Sequence, residues 1–365
     1  MENEAIARNG RTAWRQGNHT GYNGHLFDGC AYLTTIVNFY RAGVRLTPVF
    51  RSASRVGIWF VSAFLWFFCS TNYVHAEPPN YLKPFIVAVV QSENSESYLE
   101  FTKALRDNIL KLDIDLVVVD DPTKPLPNSD LVISVGMKAA TAVAASNAIT
   151  VLNVLIPKAG YKKLLRDFSA RANSKTFSAI FLDQPLARQL YLIAAVLPNK
   201  RQVGVLFDSF PKDEQAQLRQ QISLQRLSLH ERVISATLPL HEALQEVLQE
   251  SDVLLALPDS TVYNSSTLRN ILLATYRRGI PLIGFSPAYV NAGALCAIFS
   301  TPAQIAAQAV LSVRQFREMS TLPTAQYPQW FEVMVNEQVG RSLGLSIKNA
   351  AELRNEMSAL IRETP

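Results

Sequence analysis

Short apolar runs alternate with amphipathic segments along much of the chain, and residues 251–300 show the pattern most clearly. An apolar run at 252–257, ended by Pro258, is typical of a buried parallel strand. The polar residues that follow include good helix N-caps, and apolar positions then recur at helical spacing, so a helix is predicted over 261–278. Gly279 ends that helix, and another apolar strand follows. This alternation predicts a doubly wound α/β unit.

The same alternation recurs from residue 85 to the end of the chain and predicts two such units. A proline-rich interval at 121–130 is predicted to be a loop. The other predicted strands lie at 85–91, 114–119, 131–135, 149–156, 177–182, 203–207, 232–234, 280–285, 294–299 and 331–336. The predicted fold class is therefore α/β, with two Rossmann-like lobes whose parallel sheets are joined by a hinge, and with a ligand cleft between them.

The chain is predicted to pass from one lobe to the other where an apolar strand is followed by a polar segment. The strand at 177–182 carries the chain out of the first lobe, so residues 77–182 are assigned to lobe 1 and residues 183–299 to lobe 2. A helix returns the chain to lobe 1 over about 300–325, and the chain ends in lobe 2 from about 328 to 365. A length of 365 residues is sufficient for two such cores.

A secretory signal peptide is predicted at residues 51–76. Arg51 and Arg55 form its positive flank, an uncharged apolar run follows, and small residues precede a cleavage site after Ala76. The apolar run has about 14 residues, below the ~18 that a membrane span needs, so export is favoured over a short membrane anchor. Lipid attachment through Cys69 is the weaker alternative, because a bulky residue precedes it. The predicted location is periplasmic, with a membrane-anchored form as the alternative.

Residues 1–50 show no sustained periodicity, and two interpretations stay open. Either the gene model starts too early and this stretch is not translated, or it is a long, disordered region ahead of the signal peptide. Charge follows the same division: the chain carries a net charge of +5, of which +4 falls in residues 1–76. No basic stripe interleaved with aromatic residues remains in the rest of the chain, which argues against nucleic acid as a partner.

The predicted lobes contain no catalytic or metal-binding spacing. They have no G-x-S-x-G, no H-E-x-x-H and no Walker-type glycine loop. His230 and His241 are interpreted as solvated surface residues, and Cys296 as a small buried hydrophobe without a partner that would stabilise its thiolate. With Cys30 and Cys69 in the presequence, no disulfide can form in the mature chain. The sequence predicts a protein that is not an enzyme and holds no cofactor or metal.

A polar residue or a glycine follows nearly every predicted strand, and α/β proteins bind ligands at the carboxyl ends of parallel strands. Acidic residues at these tips suit an amino group, whereas hydroxyl groups and helix N-termini suit a carboxylate. Each of these residues can also serve simply as a helix cap or turn residue. The candidate ligand-binding residues are Ser92, Glu93, Gly136, Met137, Asp183, Asp208, Ser209, Asp259, Ser260, Thr261 and Ser286.

Several segments in the second half of the chain resemble one family. They are L-P-D-S-T at 257–261, G-I-P-L-I-G-F-S at 279–286, N-A-G-A-L-C-A at 291–297, F-E-V-M-V-N at 331–336 and L-G-L-S-I at 343–347. In this order and spacing they resemble the ABC-transporter substrate-binding proteins typified by tryptophan- and phenylalanine-binding lipoproteins, which have the periplasmic binding protein type 1 fold. Members of that family carry a Thr-Gly pair near the crossing at residue 183 and a longer, helical interval at 121–130, and this chain departs from both patterns.

The resemblance implies an exported solute-binding protein of an ABC importer, which captures a small solute, expected to be an amino acid, and delivers it to an inner-membrane permease. A monomer is expected. Two alternatives stay open: a two-lobed periplasmic enzyme of the racemase or amidase type that uses Cys296 or an acidic tip, and a sensor or assembly protein that kept the fold without the ligand. An aromatic solute would need an aromatic contact, and the candidates are Tyr98, Phe210, Tyr263 and Tyr289.

Overall fold

The computed structural model describes residues 84–363, apart from 111, 209–211 and 260. The predicted signal peptide and the extension before it lie outside the described residues, as do the candidate residues Ser209, Phe210 and Ser260. The elements below all belong to one compact unit. In the described part of the chain, no helix is both long and apolar enough to span a membrane.

The first lobe is built on a five-stranded parallel sheet in the order β2-β1-β3-β4-β5. Runs of buried β-branched and aliphatic residues form its strands, because helices cover both faces of the sheet. The elements in chain order are β1 (Phe85–Gln91), α1 (Glu96–Ile109), β2 (Ile114–Val119), β3 (Leu131–Val135), α2 (Met137–Ala145), β4 (Val151–Ile156), α3 (Lys158–Asp167), a 3-10 turn (Ser169–Arg171) and β5 (Phe177–Phe181).

The second lobe has a six-stranded sheet in the order β11-β10-β9-β8-β6-β7, in which only β11 runs antiparallel to its neighbour. Its elements are α4 (Leu186–Val196), β6 (Gln202–Phe207), α5 (Lys212–Leu224), β7 (Ser228–Val233), α6 (Leu240–Glu250), β8 (Val253–Leu255), α7 (Leu268–Arg277), β9 (Leu282–Gly284), α8 (Pro287–Ala292) and β10 (Cys296–Phe299). After α9 (Pro302–Met319), the chain adds β11 (Glu332–Val335), α10 (Glu337–Ser342) and α11 (Ala350–Glu363).

Three segments cross between the two sheets. The first joins β5 to α4, the second joins β10 to α9, and the third joins α9 to β11. The helix α9 belongs to the first lobe, where Ile305, Ala309 and Val313 pack into the core that α1 also covers. The third segment runs beside β5, because the amide of Phe181 donates to the carbonyl of Gln326 at 2.9 Å. The prediction of an α/β protein with two lobes and mostly parallel sheets is confirmed.

The helix predicted over 261–278 begins seven residues later, at Leu268. The intervening segment forms turns, because its short polar side chains hydrogen-bond the backbone locally and compete with the helix. The side-chain oxygen of Asn264 accepts from the amide of Ser266 at 3.0 Å, and the hydroxyl of Thr267 donates to the carbonyl of Val262 at 2.6 Å. The predicted start at Thr261 was therefore wrong.

Two smaller predictions were also wrong. The helical spacing of apolar residues over 96–110 predicts that Leu99 faces inward, but its side chain is 50% exposed, and Phe101 and Thr102 are buried instead. Residues 228–231 belong to β7, although only 232–234 were predicted as a strand. They were missed because β7 is an edge strand with polar side chains, so it lacks an apolar run. His230 lies on this strand, where its imidazole contacts Glu250 and Gln202.

Candidate functional site

A cleft of about 930 Å³ lies between the two lobes, at the carboxyl ends of their strands. One wall is α3 of the first lobe, and the floor is the first crossing segment with the start of α4. The opposite wall is formed by one face of α5 and by Leu257, Pro258, Asp259 and Thr261, which come after β8. Tyr327 of the third crossing segment completes the lining, so elements from both lobes and the hinge meet here.

The α3 wall presents a basic face to the cleft. Lys158, Lys162, Lys163 and Arg166 all line it, since residues four apart lie on the same side of a helix. A β-bulge ends the preceding strand, and its residue Leu155 has a φ of 53°, a left-handed conformation that is costly for a large side chain. This bulge lies just before α3 begins.

Asp183 lies on the floor, directly beside the N-terminus of α3. Its Oδ2 accepts a hydrogen bond from the amide of Lys158 at 2.6 Å, and its Oδ1 accepts none from another residue in the described part of the chain. Burial raises the pKa of this carboxyl above its ordinary value, the negative charge of Glu214 raises it further, and the amide and ammonium of Lys158 act in the opposite direction. Asp183 is thus a partly buried carboxylate whose remaining oxygen borders the cleft.

Two helix N-termini converge on the same floor. Ala159 and Gly160 belong to the first turn of α3, and Leu186 and Ala187 to the first turn of α4; all four line the cleft. First-turn amides have no acceptor within their own helix, and the helix dipole adds positive potential there. The floor therefore presents N–H donors suited to an anion close to the acceptor oxygen of Asp183.

Asp259 is a structural residue of the opposite wall. Its Oδ1 accepts from the amide of Thr261 at 2.9 Å and from that of Val262 at 3.3 Å. Its Oδ2 accepts from the amide of Asp208 at 2.9 Å, which ties the tips of β6 and β8 together. Both oxygens are thus occupied by backbone donors of the lobe itself.

Among the sequence-predicted residues, the structure brings Asp183, Asp259 and Thr261 together in the cleft lining. Asp208 lies behind these residues, where its backbone N–H donates a hydrogen bond to Oδ2 of Asp259. Ser286 is the N-cap of α8 and lies outside this lining. Its role in ligand binding remains a prediction, as it does for Ser209 and Ser260, which lie outside the described residues.

The predicted first-lobe tip forms a separate cluster at the ends of β1 and β3. The hydroxyl of Ser92 donates to the carbonyl of Val135 at 2.8 Å and accepts from the amide of Ala139 at 2.9 Å, so it caps α2. Gly136 has a φ of 83°, and a Cβ there would collide with the hydroxyl of Tyr98, so this position requires glycine. These residues serve the packing of the lobe, and ligand contact by Ser92 and Gly136 stays a prediction.

The two remaining first-lobe candidates have different surroundings. Glu93 is exposed and lies 3.7 Å from the ammonium of Lys138. The sulfur of Met137 packs against Gly160, so Met137 supports the cleft wall from behind. A Cβ on Gly160 would press into that sulfur, so α3 approaches α2 closely at this point.

Several cleft residues were missed by the sequence analysis. Among the described residues, the aromatic side chains that line the cleft are Phe207 and Tyr327; Tyr263 and Tyr289 are buried against each other within the second lobe. The ammonium of Lys158 donates to the hydroxyl of Tyr327 at 2.9 Å. The proline-flanked third crossing segment could have signalled Tyr327, because a segment that passes between two lobes also passes their cleft.

An ion pair joins the two walls. The ammonium of Lys162 on α3 lies 2.6 Å from Oε1 of Glu214 on α5, and the two side chains are 31% and 12% exposed. Gln217 and Gln221 continue the same face of α5 and also line the cleft. Since the partners belong to different lobes, the ion pair favours the arrangement in which the walls are close.

Reversing the charge at Lys162 is expected to open the cleft. Lys162→Glu would place two carboxylates together, and for a partly exposed pair we expect a change of about 1 kcal/mol, or about fivefold in the ratio of closed to open forms. Distances between spin labels on α3 and α5 would measure the change. The exchanged pair Lys162→Glu with Glu214→Lys should restore the original distances. Equal distances in all three proteins would contradict a role for this pair in closure.

The described residues contain no group of three or more His, Cys, Asp and Glu placed to hold a metal ion. Cys296 is fully buried in β10, within the core of the second lobe. Burial raises the pKa of its thiol well above the ordinary value, which disfavours the nucleophilic thiolate. The cleft lining itself offers hydrogen-bond donors and acceptors, the basic side chains of α3, the carboxylates of Asp183, Glu214 and Asp259, and aromatic faces.

Comparison with known proteins agrees with this architecture. The family model for ABC transporter substrate-binding proteins matches residues 127–351, more than half of the chain. No curated protein matches the chain.

Solved structures of the same fold share little sequence with this chain. A conserved domain protein from Vibrio cholerae is 20% identical with a TM-score of 0.53, covering 74% of this chain and 98% of that one. An ABC domain in complex with L-Trp from Streptococcus pneumoniae is 14% identical with the same TM-score and the same coverage. The ligand-free, open structure of a substrate-binding protein with adhesive properties from Clostridium difficile is 14% identical, with a TM-score of 0.57 over 72% of this chain and 96% of that one. The chain belongs to the family of ABC transporter substrate-binding proteins.

Proposed function

We propose that this protein is exported, captures an amino acid as a zwitterion in the cleft between its lobes, and delivers it to an inner-membrane ABC permease. Substrate-binding proteins of this family bind small solutes and hand them to a membrane permease. The finer assignment, an amino acid, rests on the chemistry of the cleft.

One observation carries the assignment: a carboxylate and unpaired helix N–H groups lie side by side on the cleft floor. Asp183 offers an acceptor for an ammonium group, and the first-turn amides of Ala159 and Gly160 offer donors for a carboxylate. An amino acid carries these two charges on adjacent carbon atoms. A floor with both kinds of partner therefore matches a zwitterion better than a ligand with a single charge.

The rest of the cleft suits a side chain with apolar surface. Phe207, Leu257 and Tyr327 border it, together with Pro258 and Leu186. A volume of about 930 Å³ is within the range of small-molecule sites. The protein of this fold from Streptococcus pneumoniae was solved with L-Trp, which supports an amino acid of this kind as the solute.

Export is proposed from the sequence. The basic flank, apolar run and small residues at 51–76 have the order of a secretory signal peptide, with cleavage after Ala76. The mature protein would then begin at Glu77 and meet its permease at the outer face of the inner membrane, as a monomer. Terminal sequencing of the secreted protein tests this, and a mature protein that retains residues 51–76 would contradict cleavage there.

A thermal-shift screen tests the solute class. The twenty L-amino acids, together with D-ribose, D-galactose and myo-inositol, would be added one at a time to the purified protein. An amino acid at a hundred times its dissociation constant is expected to raise the free energy of unfolding by about 2.7 kcal/mol. A shift with a sugar and none with any amino acid would contradict the proposed solute.

Cys296→Ala is expected to leave solute binding unchanged. The thiol is buried in the core of the second lobe, away from the cleft lining, so its removal should lower the free energy of unfolding by about 1 kcal/mol and no more. Calorimetric titration of the variant with the solute from the screen measures this. A loss of binding or turnover in a correctly folded variant would favour an enzyme that uses Cys296.

A further inference from the structure

Gln189 presents a buried acceptor to which no described residue donates. It lies on α4 and lines the cleft, and its side chain is only 3% exposed. Its Nε2 donates to the carbonyl of Gln184 at 3.1 Å, which fixes the orientation of the amide. Its Oε1 is buried and accepts no hydrogen bond from the described residues. A buried acceptor without a partner is unfavourable, so a partner from the cleft is expected.

Asp183 has a matching free position on the same segment. Its Oδ2 is held by the amide of Lys158, whereas its Oδ1 has no donor from another described residue. Both acceptors therefore belong to residues 183–189, where the first crossing segment enters α4. The facing carboxyl of Glu214 adds to the negative potential here.

Asp259, an acidic candidate on the opposite wall, is not equivalent. Its carboxylate accepts from the amides of Asp208, Thr261 and Val262. These three bonds hold the tips of the second lobe, and a ligand ammonium would compete with them. The hinge segment is thus better suited than this wall to take a positive group.

We propose that the ammonium group of the solute binds at the hinge, between Oδ1 of Asp183 and Oε1 of Gln189, and that these two residues determine the specificity for an amine. The carboxylate of the same solute then faces the amides of Ala159 and Gly160 at the start of α3. This inference rests on the proposed function, since it assumes a zwitterionic solute. It adds the position of the amine and a residue, Gln189, that no sequence pattern indicated.

An amine is favoured over a neutral hydroxyl for an electrostatic reason. Oδ1 of Asp183 is a charged acceptor in a partly buried position, and its hydrogen bond to a cation is stronger than one to a neutral donor. An ammonium group has three donors, enough to satisfy Asp183 and Gln189 together. A hydroxyl has one donor and would leave one of the two acceptors unpaired.

The experiment compares amino acids with their des-amino analogues in three proteins. Calorimetry would measure L-tryptophan against indole-3-propionate, or the tightest binder of the twenty L-amino acids against its own des-amino acid. Wild type is expected to prefer the amino acid by ~100-fold or more. Asp183→Asn should abolish most of this preference, and Gln189→Met should reduce it about tenfold. Both variants should bind the des-amino analogue within about threefold of wild type.

Gln220→Met is the matched control, because Gln220 is exposed on α5 and is not among the residues that line the cleft. It should keep the preference for the amine. Circular dichroism and thermal melting of every variant would establish that it is folded. A crystal structure with the bound amino acid should show its nitrogen within hydrogen-bond distance of Asp183 and Gln189.

The outcomes separate this inference from the proposed function. If an amino acid binds but the variants weaken both ligands equally, or if its nitrogen contacts Asp259 instead, the hinge position is wrong and the function stands. If none of the twenty amino acids binds wild type, both are overturned. A ligand-free crystal structure in which a protein group donates to Oε1 of Gln189 would also overturn the role given to that residue.

Discussion

Asp183→Asn is expected to stabilise the solute-free protein at neutral pH by about 1 kcal/mol, although it removes a residue that we place at the solute. The reason is that burial disfavours the ionised carboxylate, as the raised pKa of Asp183 shows. Asparagine has nearly the same shape and no charge, and its Oδ1 can still accept from the amide of Lys158. A binding residue that is unfavourable in the empty protein is the usual compromise between stability and function.

The sign of the pH dependence follows from the direction of the pKa shift. The ordinary value of this carboxyl is 3.8, and its pKa in the folded protein is higher. Below 3.8 the group is protonated in both states, so charge contributes no difference between wild type and variant. As the pH rises through 3.8 and then through the raised pKa, the unfolded state ionises more readily and wild type loses stability. The advantage of Asp183→Asn should grow over this interval and stay constant above it.

Urea denaturation from about pH 4 to pH 8 measures the difference in the free energy of unfolding between the two proteins. Asp107→Asn is the control, because Asp107 is exposed on α1 and far in sequence from the cleft. That variant should stay within about 0.5 kcal/mol of wild type at every pH. A variant at Asp183 that is less stable than wild type at pH 7 would show that the carboxylate is a structural residue and would contradict this account.

The sheets could be predicted from sequence because buried parallel strands are continuous apolar runs. Phe85–Gln91 and Leu131–Val135 were predicted with their observed bounds, and both are central enough to be covered on two faces. Edge strand β7 departs from this rule, since a strand with one open side does not need apolar residues along its length. Apolar runs thus identify the fold class and also the edge strand β2, which was predicted with its observed bounds, whereas the polar edge strand β7 has no such run.

Only part of the cleft could be predicted. The rule that ligands bind at strand ends directed attention to Asp183 and Asp259, which come after β5 and β8 and line the cleft; their contact with a ligand stays a prediction. It does not distinguish a strand-end residue that faces the other lobe from one that caps a helix, and Ser92 caps a helix in this structure. That distinction depends on the hydrogen-bond partners of each side chain, which are distant in sequence.

The remaining cleft residues lie on helix faces and crossing segments. The face of α3 that lines the cleft resembles any solvated basic surface in sequence, and Lys162 meets Glu214 only because two lobes face each other. Gln189 could not be predicted for another reason. The Nε2 of its side-chain amide donates to the backbone of the hinge, whereas no described residue donates to its Oε1. Such roles arise from the packing of the two lobes and have no local sequence pattern.

The hinge contains a buried polar network that ties all three crossing segments together. Nε2 of Gln184 in the first segment donates to the hydroxyl of Ser300 in the second at 2.7 Å, and that hydroxyl donates to the carbonyl of Trp330 in the third at 2.5 Å. The guanidinium of Arg188 donates to Oε1 of Gln184 at 2.6 Å and to the carbonyl of Pro328 at 3.1 Å. We therefore expect the two lobes to move relative to one another about this network.

Arg188→Met is expected to lower the free energy of unfolding by about 2 kcal/mol and to loosen the hinge. Methionine keeps much of the apolar stem, but Oε1 of Gln184 and the carbonyl of Pro328 lose a charged donor in a buried position. The guanidinium also lies 4.9 Å from the ring centre of Phe331, and this contact is lost. Chemical denaturation gives the stability, and spin-label distances between the lobes should become more widely distributed because the bond that Arg188 makes to the third segment is lost.

Arg314→Met is the matched control for this variant, since Arg314 is exposed on α9 and outside the network. It should change the free energy of unfolding by less than about 0.5 kcal/mol and leave the distance distribution unchanged. If Arg188→Met has no larger effect than this control, the charged group is not needed to hold the crossing segments. A stability loss with an unaltered distance distribution would assign the network to folding alone, and the pivot would then be defined by the backbone pairing of Phe181 with Gln326.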